Sequence, residues 1–162
     1  MESKMPNLYN LFRRDLTIQN SIKALAVALI VLGGAYFVDP ILMQIVPFVA
    51  LPVALIALFV FAIRYNTVMS ILRDGSVVKG FVEGFNHHER REKDDYGRIK
   101  SRQYTYYVNV RYEIGGETYK KTIRMPSSGF MFNINDKADV DLLYKESAPS
   151  NVLLKNVYFS NY

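Results

Sequence analysis

Residues 22–63 read IKALAVALIVLGGAYFVDPILMQIVPFVALPVALIALFVFAI and carry two charges, Lys23 and Asp39. Two apolar runs stand back to back, Ile22–Val38 (17 residues) and Ile41–Ile63 (23 residues). As helices rising about 1.5 Å per residue they reach about 26 and 35 Å, against a hydrocarbon core about 30 Å thick. The second run holds 15 Leu, Ile, Phe and Val residues. Their summed preference is roughly −5 to −9 kcal/mol toward a bilayer. The first holds nine, roughly −3 to −5 kcal/mol, opposed by Lys23 and by Gly33-Gly34. The second run is expected to insert by itself and the first to lean on it. Lys23 lies near an end, where its stem can reach the headgroups.

Asp39-Pro40 joins the runs. Proline disfavours helix in the residue before it, so Asp39 is a natural break, and so short a connection predicts an antiparallel hairpin. Pro47 and Pro52 interrupt the second run and free carbonyls that neighbours or local bends must satisfy. Ala24 and Ala28, and Ala50 and Ala54, recur at helical spacing. They are candidates for close helix packing, within the hairpin or between copies. Gln44 is the amide within the second run. Lys4, Arg13, Arg14 and Lys23 precede or open the first run, while Arg64, Arg73 and Lys79 follow the second. The positive-inside rule then predicts a multi-pass protein of the bacterial inner (plasma) membrane, both termini cytoplasmic and Asp39 outside. Tyr36, Phe37 and Tyr65 suit the interfacial belts. Gly33-Gly34-Ala35 resembles a signal-peptidase site, but the long run after it favours an uncleaved anchor.

The rest of the chain differs in kind. Residues 64–162 contain 16 Lys and Arg against 12 Asp and Glu. With half of all residues hydrophobic and no cysteine, a disordered chain, a disulfide scaffold, thiolate metal sites and cysteine nucleophiles are excluded. Three parts are expected: a juxtamembrane segment (1–21), a transmembrane hairpin (22–63) and a cytoplasmic β-domain (64–162). In the first, Leu8, Leu11, Phe12 and Leu16 fall near one helical face beside Arg13 and Arg14. That pattern fits a short helix on anionic lipid, or a frayed tail.

Beyond Arg64 the periodicity changes. Tyr65–Leu72 extends the second helix as a stalk, and Asp74-Gly75 turns. Ser76–Asn86 reads as a strand with Gly80 and Gly84 marking a bulge or bend. His87–Ser101 reads as a charged hairpin tip. In Arg102–Ile114, Tyr104, Tyr106, Val108, Val110, Tyr112 and Ile114 share the face expected to be buried. Gly115-Gly116 is a tight turn into Glu117–Met125. Pro126–Asn135 is a loop, Ala138–Tyr144 a fourth strand and Val152–Phe159 a fifth, with Pro149 breaking the chain between them. Five short strands predict a small all-β domain, either a strongly bent sheet or an OB-like five-stranded barrel.

Val140, Leu142, Tyr144, Pro149 and Leu154 fall on the positions of a Val-x-Val-x-Tyr…Pro…Leu ending. Gly75, Gly80 and Val82 match an opening strand, and Val108, Tyr112, Gly115 or Gly116, and Tyr119 a central hairpin. On these residues the stretch from about 70 to 157 resembles a bacterial domain-of-unknown-function family of membrane-anchored proteins with a small β-domain. Lys137, Glu146 and Val152 depart from its pattern. The resemblance implies a fold and a membrane setting; it brings no catalytic residue.

Little in the chain points to chemistry. His87-His88, with Glu89, Glu92, Asp94 and Asp95 nearby, is the one cluster of metal-ligand type, but neighbours in a strand face opposite ways. No metal and no cofactor is expected. No nucleophile elbow, zincin helix or phosphate loop occurs. Tyr107, Arg111, Lys120 and Arg124 form an outward set of the kind that stacks on single strands, with Glu113 and Glu117 beside it. Phe130, Met131 and Phe132 are read either as an apolar finger that meets a partner or lipid, or as a loop closing one end of the barrel. The expected function is a non-catalytic binding or scaffold subunit of a larger membrane assembly, such as a secretion or transport machine, with other membrane subunits or its own copies as partners. The alternatives are an enzyme or ligand sensor with a site between subunits, and a nucleic-acid-binding barrel.

Overall fold

The computed structural model describes residues 8–38 and 40–159. The expected outside turn at Asp39 and the side chain of Tyr36 lie outside the described residues. Residues 15–69 form one compact unit; residues 8–14 and 70–159 form the other.

The helical unit contains α2 (Leu16–Val38) and most of α3 (Pro40–Asp74), both long and apolar enough to cross a membrane by length and composition. Helix α2 starts six residues before the apolar run, because Asp15 caps it. Its Oδ1 accepts from the backbone N–H of Thr17 and Ile18 at 3.0 and 3.1 Å, two donors that a helix start leaves orphaned. Helix α3 runs unbroken through Pro47 and Pro52. Between residues 21 and 63 the described buried residues are small, Ser21, Ala28, Ala35, Ala50, Ala54 and Ala57, whereas Ile18 and Val68, outside the apolar runs, are buried as well. The large ones face outward, with Ile30 72%, Phe48 83% and Phe59 67% exposed. Such small residues let helix backbones approach, which is how helices associate in lipid.

The second unit holds α1 (Leu8–Arg14), strands β1 (Ser76–Lys93), β2 (Ile99–Ile114), β3 (Glu117–Met125), β4 (Asp139–Lys145) and β5 (Ala148–Leu154), and a final turn of helix, α4 (Lys155–Phe159). The strands make one antiparallel sheet in the order β3-β2-β1-β4-β5. The barrel expected as one alternative is not formed: β3 and β5 are edges with no ladder between them. Pro149 withholds a donor from the β5 edge, a place where a strand tolerates proline. Side chains bridge the gap instead. Tyr112 Oη donates to the Pro149 carbonyl at 3.1 Å, and Lys121 Nζ to the Ser150 carbonyl. Strand β1 carries a register shift between Val82 and Gly84, a bulge at one of the glycines expected to mark one.

Register places Val82, Val108, Val110, Tyr112, Val140, Leu142 and Leu154 on one face, all buried. Gly80 belongs to this face for a steric reason. A Cβ there would lie 2.6 Å from Cδ1 of Leu142. The Gly115-Gly116 turn takes φ of 61° and 83° at its two positions, the left-handed pair that a two-residue hairpin requires. Helix α4 packs on β4, β5 and α1, and Leu11, Val157 and Tyr158 are buried.

Three readings change. Strand β1 continues through the charged stretch to Lys93, and the tip shrinks to Asp94–Arg98. There Asp94 Oδ1 accepts from the backbone N–H of Tyr96 and Arg98 at 3.0 and 2.7 Å. The fifth strand starts at Ala148, so Pro149 lies inside it, and its expected second half is α4. Finally, Tyr104 and Tyr106 sit on the expected face but beyond the core, Tyr104 being 43% exposed. Strand β3 ends opposite Tyr106 and β4 opposite Phe81. From His88 to Lys93 and from Ile99 to Thr105 the hairpin is therefore a two-stranded ribbon, roughly 20 Å long at about 3.4 Å per residue.

Candidate functional site

The loop after β3 is a single 3-10 turn, Gly129–Phe132, closed by Asn133 in the left-handed conformation. Backbone bonds fix it: Met131 N–H to Ser128 O (3.1 Å), Asn133 N–H to Phe130 O (3.2 Å) and Ile134 N–H to Gly129 O (3.0 Å). Asn156 Nδ2 donates to the Phe132 carbonyl at 3.2 Å, which ties the turn to α4. Gly129 and Ile134 are buried and root the loop, with the ring of Phe85 against Gly129. Phe130 is 85% and Met131 53% exposed, while Phe132 is half-buried. The loop is thus a rigid base carrying two apolar tips in solvent, rather than a closure over the sheet. An exposed phenylalanine on so well-tied a turn loses little conformational entropy when it is covered.

Arg13 and Arg14 have different surroundings. The Arg13 guanidinium stands 5.8 Å from the centre of the Tyr9 ring and is exposed. Arg14 donates from NH1 to the Tyr158 carbonyl at 2.7 Å, so it holds α1 to α4. Burial, then the Arg13 charge, lowers its pKa.

Of the candidate packing residues, Ala28, Ala50 and Ala54 are buried and Ala24 is half-buried. Ala24, Ala28 and Ala50, with Val27, Val31 and Val49, line an apolar groove of about 550 Å³. Asp15 is a structural residue that the reading of the sequence missed. Besides capping α2, its Oδ2 takes the Arg64 guanidinium, at 2.9 Å to Nε and 2.8 Å to the terminal nitrogen. One carboxylate therefore caps α2 and clips it to α3. The available signal was an aspartate directly before Leu16, a residue type that favours helix starts.

The chemical candidates are dispersed. His87 lies opposite Tyr106 and His88 opposite Thr105, on opposite faces of the ribbon. Among the described residues no group of three His, Asp or Glu side chains is placed to hold a metal ion. Arg111 and Lys120 share Glu83, at 3.7 and 3.1 Å, and the Arg111 guanidinium leans toward the Phe81 ring. A carboxylate thus sits within the outward set that a nucleic-acid surface would need. Lys79 Nζ reaches Asp141 Oδ1 at 2.6 Å and Lys155 its other oxygen at 3.6 Å. The bond to Lys79 holds the Asp141 carboxyl below the usual carboxylate range, and Asp141 in turn raises the Lys79 pKa.

No protein-family model, curated protein or solved structure matches the chain.

Proposed function

We propose that this chain is a membrane-anchored, non-catalytic binding or scaffold subunit that presents its β-domain on the cytoplasmic side of a larger membrane assembly. The observation that carries the anchor is the inverted packing of α2 and α3 between residues 21 and 63, with alanine inside and phenylalanine, leucine and isoleucine outside. Water penalises each such exposed side chain by about 1.5–3 kcal/mol, and lipid does not. The lysine and arginine residues flanking the hairpin support the orientation. On the cytoplasmic side, the Phe130–Met131 tip is the contact offered to another subunit.

The test has two parts. Alkaline carbonate should leave the protein in the membrane pellet, and an Asp39→Cys variant should react with impermeant thiol reagent on whole cells while Gly97→Cys does not. Extraction by carbonate, or the reverse labelling, overturns the anchor or its orientation. Phe130→Ser should then release partners that co-purify in mild detergent while leaving the melting temperature of the domain unchanged. Retention of every partner overturns the assigned contact.

A further inference from the structure

The distal ribbon has two unpaired edges. Residues Gly84–Lys93 of β1 pair only with β2 among the described residues, and Ile99–Thr105 of β2 only with β1. Rows of open N–H and C=O groups invite a further strand. The side chains on the two edges differ in sign. The free stretch of β2 carries Lys100 and Arg102 and no acid. Two such edges side by side repel. The β1 edge reads His87-His-Glu-Arg-Arg-Glu-Lys93, with both signs.

We infer that the distal half of β1 pairs antiparallel with the same segment of a second copy, about a two-fold axis at Arg91. In that register the directly opposed residues lie on the same face. Arg90 meets Glu92 of the other copy and Glu89 meets its Lys93, and symmetry gives each pair twice. Moving the axis to Arg90 sets Arg90 against itself and leaves Lys93 opposite His87. Moving it to Glu92 sets Arg91 against Lys93. The axis at Arg91 gives the most opposite-charge pairs of the three, and opposed unlike charges across strands are favourable. The like pair on the axis is already compensated within each chain. The Arg91 guanidinium holds Glu89 through two bonds of 2.9 Å. Arg90 and Lys93 form no ion pair among the described residues, so the pairing gives carboxylate partners to two cations for which the monomer shows none, while Glu89 would be shared between that Lys93 and its own Arg91. A β1-to-β2 contact would instead be head-to-tail and leave open ends, whereas β1-to-β1 closes as a dimer. The result is a four-stranded sheet in the order β2-β1-β1-β2.

This deepens the proposed scaffold reading by naming one partner, a second copy, yet it stands on the ribbon alone. The chain has no cysteine, so single cysteines in the full-length protein in native membranes test it cleanly. Residues opposed across an antiparallel pair have Cα atoms about 4.5–5.5 Å apart, within disulfide range. Arg91→Cys should cross-link to itself at least several-fold faster than Arg90→Cys, Glu92→Cys or Gln103→Cys. The charge pattern gives a second readout. Glu89→Lys with Glu92→Lys should weaken dimer formation in mild detergent by roughly tenfold or more. Adding Arg90→Glu and Lys93→Glu should restore it, since every opposed pair is then reversed. Equal cross-linking at all four positions, or a quadruple variant no more dimeric than the double, overturns the pairing. Carbonate resistance of the same variants reports the anchor separately, so failure of one reading is distinguishable from failure of the other.

Discussion

In the helical unit alanine lies inside and phenylalanine outside. In the sheet, valine and leucine lie inside while lysine, arginine and glutamate lie outside. The two units share a chain and follow opposite burial patterns, which is what the proposed placement of one in lipid and the other in water requires. In water the driving force is removal of apolar surface, so volume is buried. In lipid the tails are as apolar as the side chains, so only close approach and polar contacts distinguish inside from outside. The contrast also assigns the polar groups. In the helices the ion pair Asp15–Arg64 acts as a clip. In the sheet Lys79–Asp141 and Glu83 with Lys120 occupy the wet face.

Substitutions that respect one solvent and offend the other separate the two patterns. Leu142→Ala, at a fully buried sheet position, should cost about 2–5 kcal/mol of β-domain stability, seen as a lowered denaturation midpoint. Arg64→Ala removes the guanidinium bonded to the buried Asp15 carboxylate. It should destabilise the hairpin by roughly 2–3 kcal/mol, below the full penalty for a buried pair because Arg64 is about one-third exposed. Protease protection of the hairpin in detergent measures the loss. Tyr112→Phe removes the bond to the Pro149 carbonyl and should cost about 1 kcal/mol, with faster amide exchange confined to β5. Phe59→Ala, equal in chemistry to a core truncation, should change insertion by only about 0.3–0.6 kcal/mol and β-domain melting not at all. A large loss from Phe59→Ala would break the comparison, since it would place that ring in a core.

Acid tests the wet face. The folded Asp141 carboxyl titrates below its unfolded value because of Lys79. Its contribution is complete above the unfolded carboxylate pKa of about 4 and fades as pH falls from there through the folded value. Melting temperatures below about pH 4 should therefore drop less steeply in Asp141→Asn than in the unaltered chain.

The sequence made the hairpin of helices and the β2–β3 turn legible for local reasons: long apolar runs in one case, Gly115-Gly116 between alternating segments in the other. The distal half of β1 was not legible. His87–Lys93 alternates nothing by hydropathy, and its strand state depends on pairing with Ile99–Tyr106, visible only once the register is known. Closure of the sheet was also beyond reach, because it rests on what two edges far apart in sequence do. Phe130 could be picked out as apolar in a loop, but its direction depends on the ring of Phe85 filling the space beneath Gly129. Asp15 lay hidden because its partner, Arg64, is 49 positions away.

One tight contact bears on the history of this domain. Leu142 fills the hollow that Gly80 leaves, so β1 and β4 divide a fixed volume between two positions. Related chains that enlarge one should trim the other, and a Gly80→Ala change that injures this chain should be tolerated beside Leu142→Val. Such reciprocal substitution would mark true relatives of the domain even where little other likeness survives.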